Sequence, residues 1–209
     1  MGLIVSGRFI LASASPRRVE LLKLAGLRFD VVPARVNETC MEGETPEEHV
    51  LRLSEEKAKA IAGRNPGAWV LGADTVVLIH SEILGKPRTI SAAKEMLSKL
   101  SGQEHRVLTG FTIAREAAGI LVRDVVVSWV TFKDIPEDEI AWYIRSDEPY
   151  DKAGGYAVQG KGSLFIREIR GSYTNVMGLP LCEVVEALKG LGAIEFAEEN
   201  HGTDSPGQH

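Results

Sequence analysis

The chain has 209 residues, 44% of them hydrophobic and 25% charged, which is typical of a globular protein with one domain or two lobes around one core. Its net charge of −5 argues against a broad nucleic-acid-binding surface but allows a local basic pocket. Cys40 and Cys182 are far apart and lack metal-ligand spacing, so neither a disulfide framework nor a structural zinc site is expected. No apolar run approaches the length of a membrane span. We expect a cytoplasmic protein without nucleic-acid or membrane partners.

The first predicted helix carries two arginines at an unfavourable place. It begins at Pro16, after the capping residue Ser15, and ends near Gly26. Arg17 and Arg18 lie in its first turn, at the positive end of the helix dipole, where each charge costs about 0.3–1 kcal/mol. A bound anion would explain why both are present.

The second predicted helix places a lysine among apolar residues. Thr45–Glu48 forms a capping box with proline at the first helical position, and the helix extends to about Ala62. At about 100° per residue, Lys57 lies at the centre of the apolar stripe. The simpler interpretation is that its stem packs on the core while its ammonium reaches water. A functional interpretation requires an anion nearby.

Asp74 interrupts an apolar strand, "AWVLGADTVVLI" at 68–79, which we predict to be broken at Gly72–Asp74. An ionised carboxylate there needs a cation, a metal or several hydrogen-bond donors, because burying it unpaired is costly. One interpretation is a turn aspartate that caps a bulge. The other is a metal ligand or general base, and the position alone does not decide between them.

The remaining predicted elements complete an α/β pattern in which strands and helices alternate early and strands pair later. The other predicted strands are Arg8–Ala12, Arg28–Pro33, Arg106–Arg115, Gly119–Lys133 and Leu164–Ile169. The other predicted helices are Ser91–Leu100, Pro136–Ser146 and Leu179–Leu191. We therefore expect a mixed twisted sheet with flanking helices in one domain, residues 1–194, followed by a disordered polar tail at 195–209.

A glycine-rich segment, "DKAGGYAVQGKG" at 151–162, contains a near match to a P-loop. Gly155 is followed after four residues by Gly160 and Lys161, but Gly162 stands where a magnesium-binding hydroxyl is needed. An apolar strand rather than a helix follows. The P-loop is therefore rejected, and a glycine-rich hairpin or bulge is the local expectation.

Cations and carboxylates in unusual contexts point to one ligand. The cations are Arg17, Arg18, Lys57 and Lys86, and the carboxylates are Glu38, Asp74 and Asp151. Magnesium prefers carboxylate and phosphate oxygens, so a polyanion bridged to a metal would satisfy both sets. A charge pair about 4 Å apart contributes about 4 kcal/mol at an effective dielectric near 20, which exceeds the dipole cost of the arginines.

Several motifs resemble the Maf nucleoside triphosphate pyrophosphatases in order and spacing. They are "SASPRR" (13–18), "NE" (37–38), "SEEKA" (54–58), "GADT" (72–75), "KP" (86–87), "TG" (109–110), "DKAGGYAVQG" (151–160) and "GSYTNVMGLPL" (171–181). The resemblance covers nearly all of residues 8–190. It implies an elongated two-lobed fold with a deep central cleft, similar to the inosine triphosphate pyrophosphatases. It also implies hydrolysis of a nucleoside triphosphate to the monophosphate and pyrophosphate with a divalent metal, Mg²⁺ or Mn²⁺.

The resemblance assigns roles to individual residues. The catalytic set it implies is Asp74 as proton acceptor, with Glu38, Lys57 and Lys86. The substrate-binding set is Ser13, Arg17, Arg18, Thr75, Asp151 and Gln159. The metal-binding set is Glu38, Asp74 and Asp151. Arg17, Thr75 and Gln159 resemble the dTTP/UTP subgroup, and Gln159 offers a donor and an acceptor to the imide edge of uracil or thymine.

Other functions stay open at this point. The same residues would suit another metal-dependent phosphohydrolase or a nucleotidyl transferase. They would also suit a nucleotide-binding regulator of septum formation in which catalysis is secondary. A DNA-binding module is disfavoured by the acidic balance and by the lack of an aromatic-basic stripe. Whether the chain forms a homodimer is left open.

Overall fold

The computed structural model describes residues 3–196, and a seven-stranded mixed sheet forms its centre. The strands are β1 (Leu3–Val5), β2 (Phe9–Leu11), β3 (Asp30–Val31), β4 (Trp69–Ile79), β5 (Glu82–Leu84), β6 (Glu104–Arg115), β7 (Ile120–Phe132), β8 (Ile166–Arg170) and β9 (Ile194–Phe196). The helices are α1 (Pro16–Leu24), α2 (Pro46–Ala62), α3 (Ile90–Leu100), α4 (Glu137–Tyr143), α5 (Tyr173–Met177) and α6 (Leu181–Gly190).

The strand order of the sheet is β3-β2-β4-β6-β7-β8, with β5 paired to β4. β2 is parallel to β3 and β4, whereas β4, β6, β7 and β8 pair antiparallel. β1 and β9 form a separate antiparallel pair. The predicted α/β fold with a mixed sheet and flanking helices is confirmed. No helix within residues 3–196 is long and apolar enough to cross a membrane.

Two hydrophobic clusters on one face of β4 define the two lobes. The first half of the strand, including Trp69 and Leu71, packs with α1 and α6. The second half, including Val77 and Ile79, packs with α3 and α4. Side chains alternate across a strand, so Asp74 points to the opposite face, where α2 lies. The middle of β4 therefore lies where the two lobes meet.

β4 runs without a break, so the predicted interruption at Gly72–Asp74 is wrong. Ala73 and Asp74 stay in register with Phe111 and Gly110 of β6. Glycine at position 72 serves helix packing, because a Cβ there would collide with the carbonyl of Ser54 on α2. The interpretation of Asp74 as a bulge cap is therefore also wrong.

The ends of the chain and one short helix differ from the sequence prediction. β1 pairs with β9, whose last residues, Glu195 and Phe196, were predicted to begin the tail. The rest of that predicted tail, residues 197–209, lies outside the described residues. The five-residue α5 begins after Ser172, whose hydroxyl accepts a hydrogen bond from the Asn175 amide. A helix of this length has too few residues to show apolar periodicity.

Candidate active site

Helix α2 lies close to the sheet because two glycines face it. A Cβ at Gly72 would collide with the Ser54 carbonyl, and a Cβ at Gly110 of β6 would collide with the Val50 carbonyl. The hydroxyl of Ser54 also lies 2.8 Å from that of Thr112 on β6. This close approach brings the apolar stripe of α2, and with it Lys57, directly onto β4.

Lys57 joins two carboxylates. Its Nζ lies 2.7 Å from Oδ1 of Asp74 and 2.6 Å from Oε1 of Glu38. The side chains of Lys57 and Asp74 are 9% and 13% exposed, whereas that of Glu38 is 61% exposed. The interpretation that Lys57 extends its ammonium to water is therefore wrong. The hydrogen bond from Lys57 lowers the pKa of Glu38 below its usual value, against the effect of partial burial.

The loop that carries Glu38 is fixed to α2 by an ion-pair network. Arg52 donates to the Thr39 carbonyl at 3.1 Å and to both oxygens of Glu44. Glu44 also lies 2.9 Å from Nδ1 of His49. The hydrogen bonds from Arg52 lower the pKa of Glu44 to about 2. Glu38 therefore reaches Lys57 from a loop whose next residue is hydrogen-bonded to α2.

The two arginines of α1 have different surroundings. Arg18 is buried and donates to the carbonyls of Gly178 (2.8 Å) and Ala73 (2.8 Å) and to the hydroxyls of Ser13 (3.1 Å) and Thr75 (3.0 Å). Burial lowers the pKa of Arg18, and the charge of Asp74 opposes this effect. Its guanidinium is thus occupied by protein groups.

Arg17 is the more accessible of the pair. Its side chain is 27% exposed, and its Nη1 lies 3.4 Å from Oδ2 of Asp151. Ser15 stands at the N-cap of α1, but its side chain makes no capping hydrogen bond. The hydroxyl of Ser13 accepts instead, from the Ser15 amide at 3.2 Å. Ser13 therefore links the start of the helix to Arg18.

The glycine-rich segment packs against the loop of Lys86. The Gly154 amide donates to the Gly85 carbonyl at 3.0 Å, and a Cβ at Gly155 would lie 3.3 Å from Pro87. The segment forms 3₁₀ turns at Glu148–Asp151, Ala153–Gly155 and Lys161–Phe165, so the expected hairpin or bulge is wrong. Asp151, Lys86 and Gln159 are all exposed. Partial burial would raise the pKa of Asp151, but Lys152 and Arg17 hold that pKa below its usual value.

The carboxylates present could hold a divalent metal only if substrate phosphates supplied its further ligands. Within residues 3–196, no three histidine, cysteine, aspartate or glutamate side chains converge as a complete metal site. Asp151 therefore does not join Glu38 and Asp74 in a preformed cluster. Magnesium is commonly held by one or two carboxylates plus substrate phosphates, and Glu38 with Asp74 supplies that number.

Sequence reasoning missed a polar network on the face of β4 opposite Lys57. The hydroxyl of Thr75 lies 2.9 Å from that of Thr109, and Thr109 lies 3.4 Å from the Asn175 carbonyl. Asn175 is buried and donates to the Val107 carbonyl at 3.1 Å. The sequence did contain a signal for this network, because Thr109 and Asn175 belong to the motifs "TG" and "GSYTNVMGLPL". Their partners become known only in the folded chain.

The fold is α/β, and its candidate site combines a lysine-bridged carboxylate pair with exposed cations. This combination is typical of proteins that bind polyanionic ligands. A family model described as a Maf-like protein matches residues 8–191. The chain belongs to the Maf-like protein family, as the sequence motifs predict.

Sequence relatives agree with this assignment, and a solved structure shares the fold. The chain is 58% identical to a dTTP/UTP pyrophosphatase of Syntrophus aciditrophicus, over 97% of this chain and 98% of the relative. It is 49% identical to a dTTP/UTP pyrophosphatase of Geobacter sulfurreducens, over 90% of this chain and 98% of the relative. A HAM1 protein from Coxiella burnetii shares the fold, with a TM-score of 0.50 at 16% identity over 88% of this chain and 98% of that one.

Proposed function

We propose that the protein hydrolyses dTTP and UTP to the monophosphate and pyrophosphate. The observation that carries this proposal is the Lys57 ammonium held between Asp74 and Glu38 at the junction of the two lobes. Relatives that cover nearly the whole chain and are named dTTP/UTP pyrophosphatases support the substrate class.

Asp74 is the proposed proton acceptor for the attacking water. Lys57 contacts Oδ1 of Asp74 and so holds the carboxylate in place to take the proton. The water oxygen forms a bond to the α-phosphorus while the bond from that phosphorus to the bridging oxygen breaks. The electron pair and negative charge leave with pyrophosphate. A positioned general base of this kind typically contributes about 10²–10⁴-fold in rate.

Glu38 and Asp74 are the residues that would hold a divalent metal. When bound, Mg²⁺ or Mn²⁺ would neutralise charge on the triphosphate. Lys57 stabilises both carboxylates before the substrate arrives, because an ammonium between two carboxylates offsets their mutual repulsion. Asp151, tied to Arg17, is proposed to join the metal only with substrate bound.

The remaining predicted residues divide between the triphosphate and the base. Arg17 and Lys86 are exposed enough to bind phosphate oxygens, together with the first amides of α1, which a helix leaves without internal partners. Ser13, Arg18 and Thr75 hold that surface in place through their mutual hydrogen bonds. Gln159 is proposed to read the imide edge of the pyrimidine.

Product analysis tests the reaction and a substrate panel tests the subgroup. Pyrophosphate release is measured from dTTP, UTP, CTP, ATP, GTP and modified pyrimidine nucleotides, each with magnesium, manganese or cobalt. We expect pyrophosphate in a single step, fastest from dTTP and UTP. Stepwise release of orthophosphate would overturn the reaction, and a preference for purines would overturn the substrate assignment.

Two further proposals concern the cell. We place the activity in the cytoplasm, where thiols such as the free Cys40 and Cys182 stay reduced.

A role in arresting division is tested by expressing Asp74→Asn in cells. Loss of both hydrolysis and the division effect would link them, whereas a division effect that persists would assign it to nucleotide binding.

A further inference from the structure

The P-loop-like segment at 155–162 binds an anion that belongs to the protein itself. Two consecutive backbone amides converge on the carboxylate of Glu148. The Lys161 amide donates to Oε2 at 2.9 Å, and the Gly162 amide donates to Oε1 at 2.9 Å. Consecutive amides in a turn form a concave anion-binding site, and here an internal carboxylate fills it.

A buried tyrosine completes the contact. The hydroxyl of Tyr143, which is fully buried at the end of α4, donates to Oε1 of Glu148 at 2.9 Å. Against the opposing effect of burial, the amides of Gly162 and Lys161 and the Tyr143 hydroxyl hold the pKa of Glu148 below its usual value. The carboxylate is therefore held as a charged acceptor by donors from two separate segments.

The glycines of the turn are required by this contact. A Cβ at Gly160 would lie 2.6 Å from Oε2 of Glu148, and a Cβ at Gly162 would lie 2.8 Å from the Ala157 carbonyl and 3.0 Å from the Tyr143 hydroxyl. Real Cβ atoms essentially never approach other atoms as closely as the first two of these distances. The glycines therefore let the chain close around the carboxylate.

Gln159 directly precedes Gly160 and the two amides that bind Glu148. Val158 packs partly against the hydrophobic cluster of the first lobe, so Gln159 lies between that contact and the Glu148 contact. Glu148 also begins the 3₁₀ turn that ends at Asp151, the partner of Arg17. One carboxylate thus connects the proposed base-reading residue with the proposed phosphate-binding region.

We propose that Glu148 is a positioning residue for pyrimidine selection, which acts by holding the Gln159–Gly162 turn and thereby aiming the Gln159 amide. The inference rests on the proposed function. Glu148 itself does not touch the substrate. Its contact with the turn determines which edge of the base Gln159 can pair with. We therefore expect uracil to be favoured over cytosine only while Glu148 holds the turn in place.

The test compares the kcat/KM ratio for UTP over CTP in wild type, Glu148→Gln, Gln159→Ala and the double variant. We expect Glu148→Gln to lower the ratio about tenfold, because the amide group opposes one of the backbone donors. In the Gln159→Ala background the same change is expected to have little further effect on the ratio. Glu137→Gln, an exposed carboxylate on α4 paired with Lys94, is the matched control and is expected to leave the ratio unchanged.

If Glu148→Gln folds poorly, Tyr143→Phe and amide hydrogen exchange test the same contact. Tyr143→Phe removes one donor and keeps the ring, and we expect it to lower the ratio about threefold. Hydrogen exchange of the Lys161 and Gly162 amides is expected to be faster in both variants.

The outcomes are distinguishable. An unchanged UTP/CTP ratio, or a loss that adds in full to that of Gln159→Ala, would overturn the role of Glu148 while leaving the proposed function intact. A wild-type protein that releases no pyrophosphate from any nucleotide would overturn the proposed function, and the positioning role would fall with it.

Discussion

The two faces of β4 at its centre hold charge in different ways. On the face toward α2, Asp74 is paired with a single flexible cation, Lys57, which also reaches the exposed Glu38. On the opposite face, the Arg18 guanidinium is surrounded by neutral carbonyl and hydroxyl acceptors from separate segments. Asp74 and Thr75 are adjacent in sequence, yet each belongs to a different network.

This difference indicates that one face of β4 carries the reactive groups and that the other maintains the structure around them. An ion pair in which one partner is exposed can rearrange when a metal or phosphate arrives. A guanidinium whose donors are taken by buried carbonyls cannot leave them without a large cost, since each unsatisfied buried group costs about 1–3 kcal/mol. We therefore expect the Lys57 face to react and the Arg18 face to maintain its shape.

The largest effect is expected at Asp74. Asp74→Asn keeps the shape of the side chain but removes the proton acceptor, and kcat should fall about 10²–10⁴-fold. Pyrophosphate release under saturating UTP measures the change, and Asp138→Asn on the exposed side of α4 is the control. A rate within about threefold of wild type would show that the Asp74 face does not perform the proton transfer.

Replacing Lys57 tests whether the folded protein needs a cation between the carboxylates of Asp74 and Glu38. Lys57→Met leaves Asp74 buried without a partner, and the free energy of unfolding should fall by about 3–5 kcal/mol in urea titrations. Adding Asp74→Asn should recover part of that loss, because the uncompensated charge is removed. Lys59→Met, on the exposed side of the same helix, is the control. A double variant no more stable than Lys57→Met would contradict the ion-pair account.

The adjacent arginines of α1 are expected to differ in the same way as the two faces of β4. Arg18→Met should lower the free energy of unfolding by about 2–4 kcal/mol, because the Ala73 and Gly178 carbonyls lose their donor. Arg17→Met should cost less than about 1 kcal/mol, as is usual for an exposed ion pair, yet raise KM for UTP about tenfold. The reverse pattern, with Arg17 stabilising and Arg18 needed only for binding, would refute the division between the two faces.

The smallest effect concerns the loop that supports Glu38. The pKa of Glu44 is lowered to about 2 by Arg52, so its contribution to stability is complete above its usual pKa and is lost as the pH falls toward 2. The melting temperature of wild type should therefore decrease more steeply between about pH 4.5 and 2 than that of Glu44→Gln. Parallel profiles would show that this ion pair does not stabilise the loop.

Locally encoded features were predictable. The capping box of α2 forms as expected, with the Glu48 amide 3.2 Å from Oγ1 of Thr45 and the Thr45 amide 2.9 Å from Oε2 of Glu48. The long antiparallel pair β6–β7 also lies close to the predicted strands Arg106–Arg115 and Gly119–Lys133. Such features depend on residues near one another in sequence, so a linear pattern suffices.

The mispredictions at Gly72 and Lys57 share one cause. Gly72 was taken as a break in the strand because sequence shows a missing side chain but not the helix that requires its absence. Lys57 was expected to reach water because nothing near it in the sequence shows that β4 would present Asp74. The bonds of Arg18 to Ala73 and Gly178 join residues 55 and 160 positions away.

Most of the elements, the capping box of α2, the family motifs and the charged residues of the candidate site could be predicted from the sequence alone. Which of these charges meet depends on contacts between segments that are far apart in the sequence. The reason is geometric: α2 can approach β4 only where Gly72 and Gly110 lie together, and the alternation of the strand then sends Asp74 to Lys57 and Thr75 to Arg18. The Glu148 contact depends likewise on distant segments that close around one carboxylate.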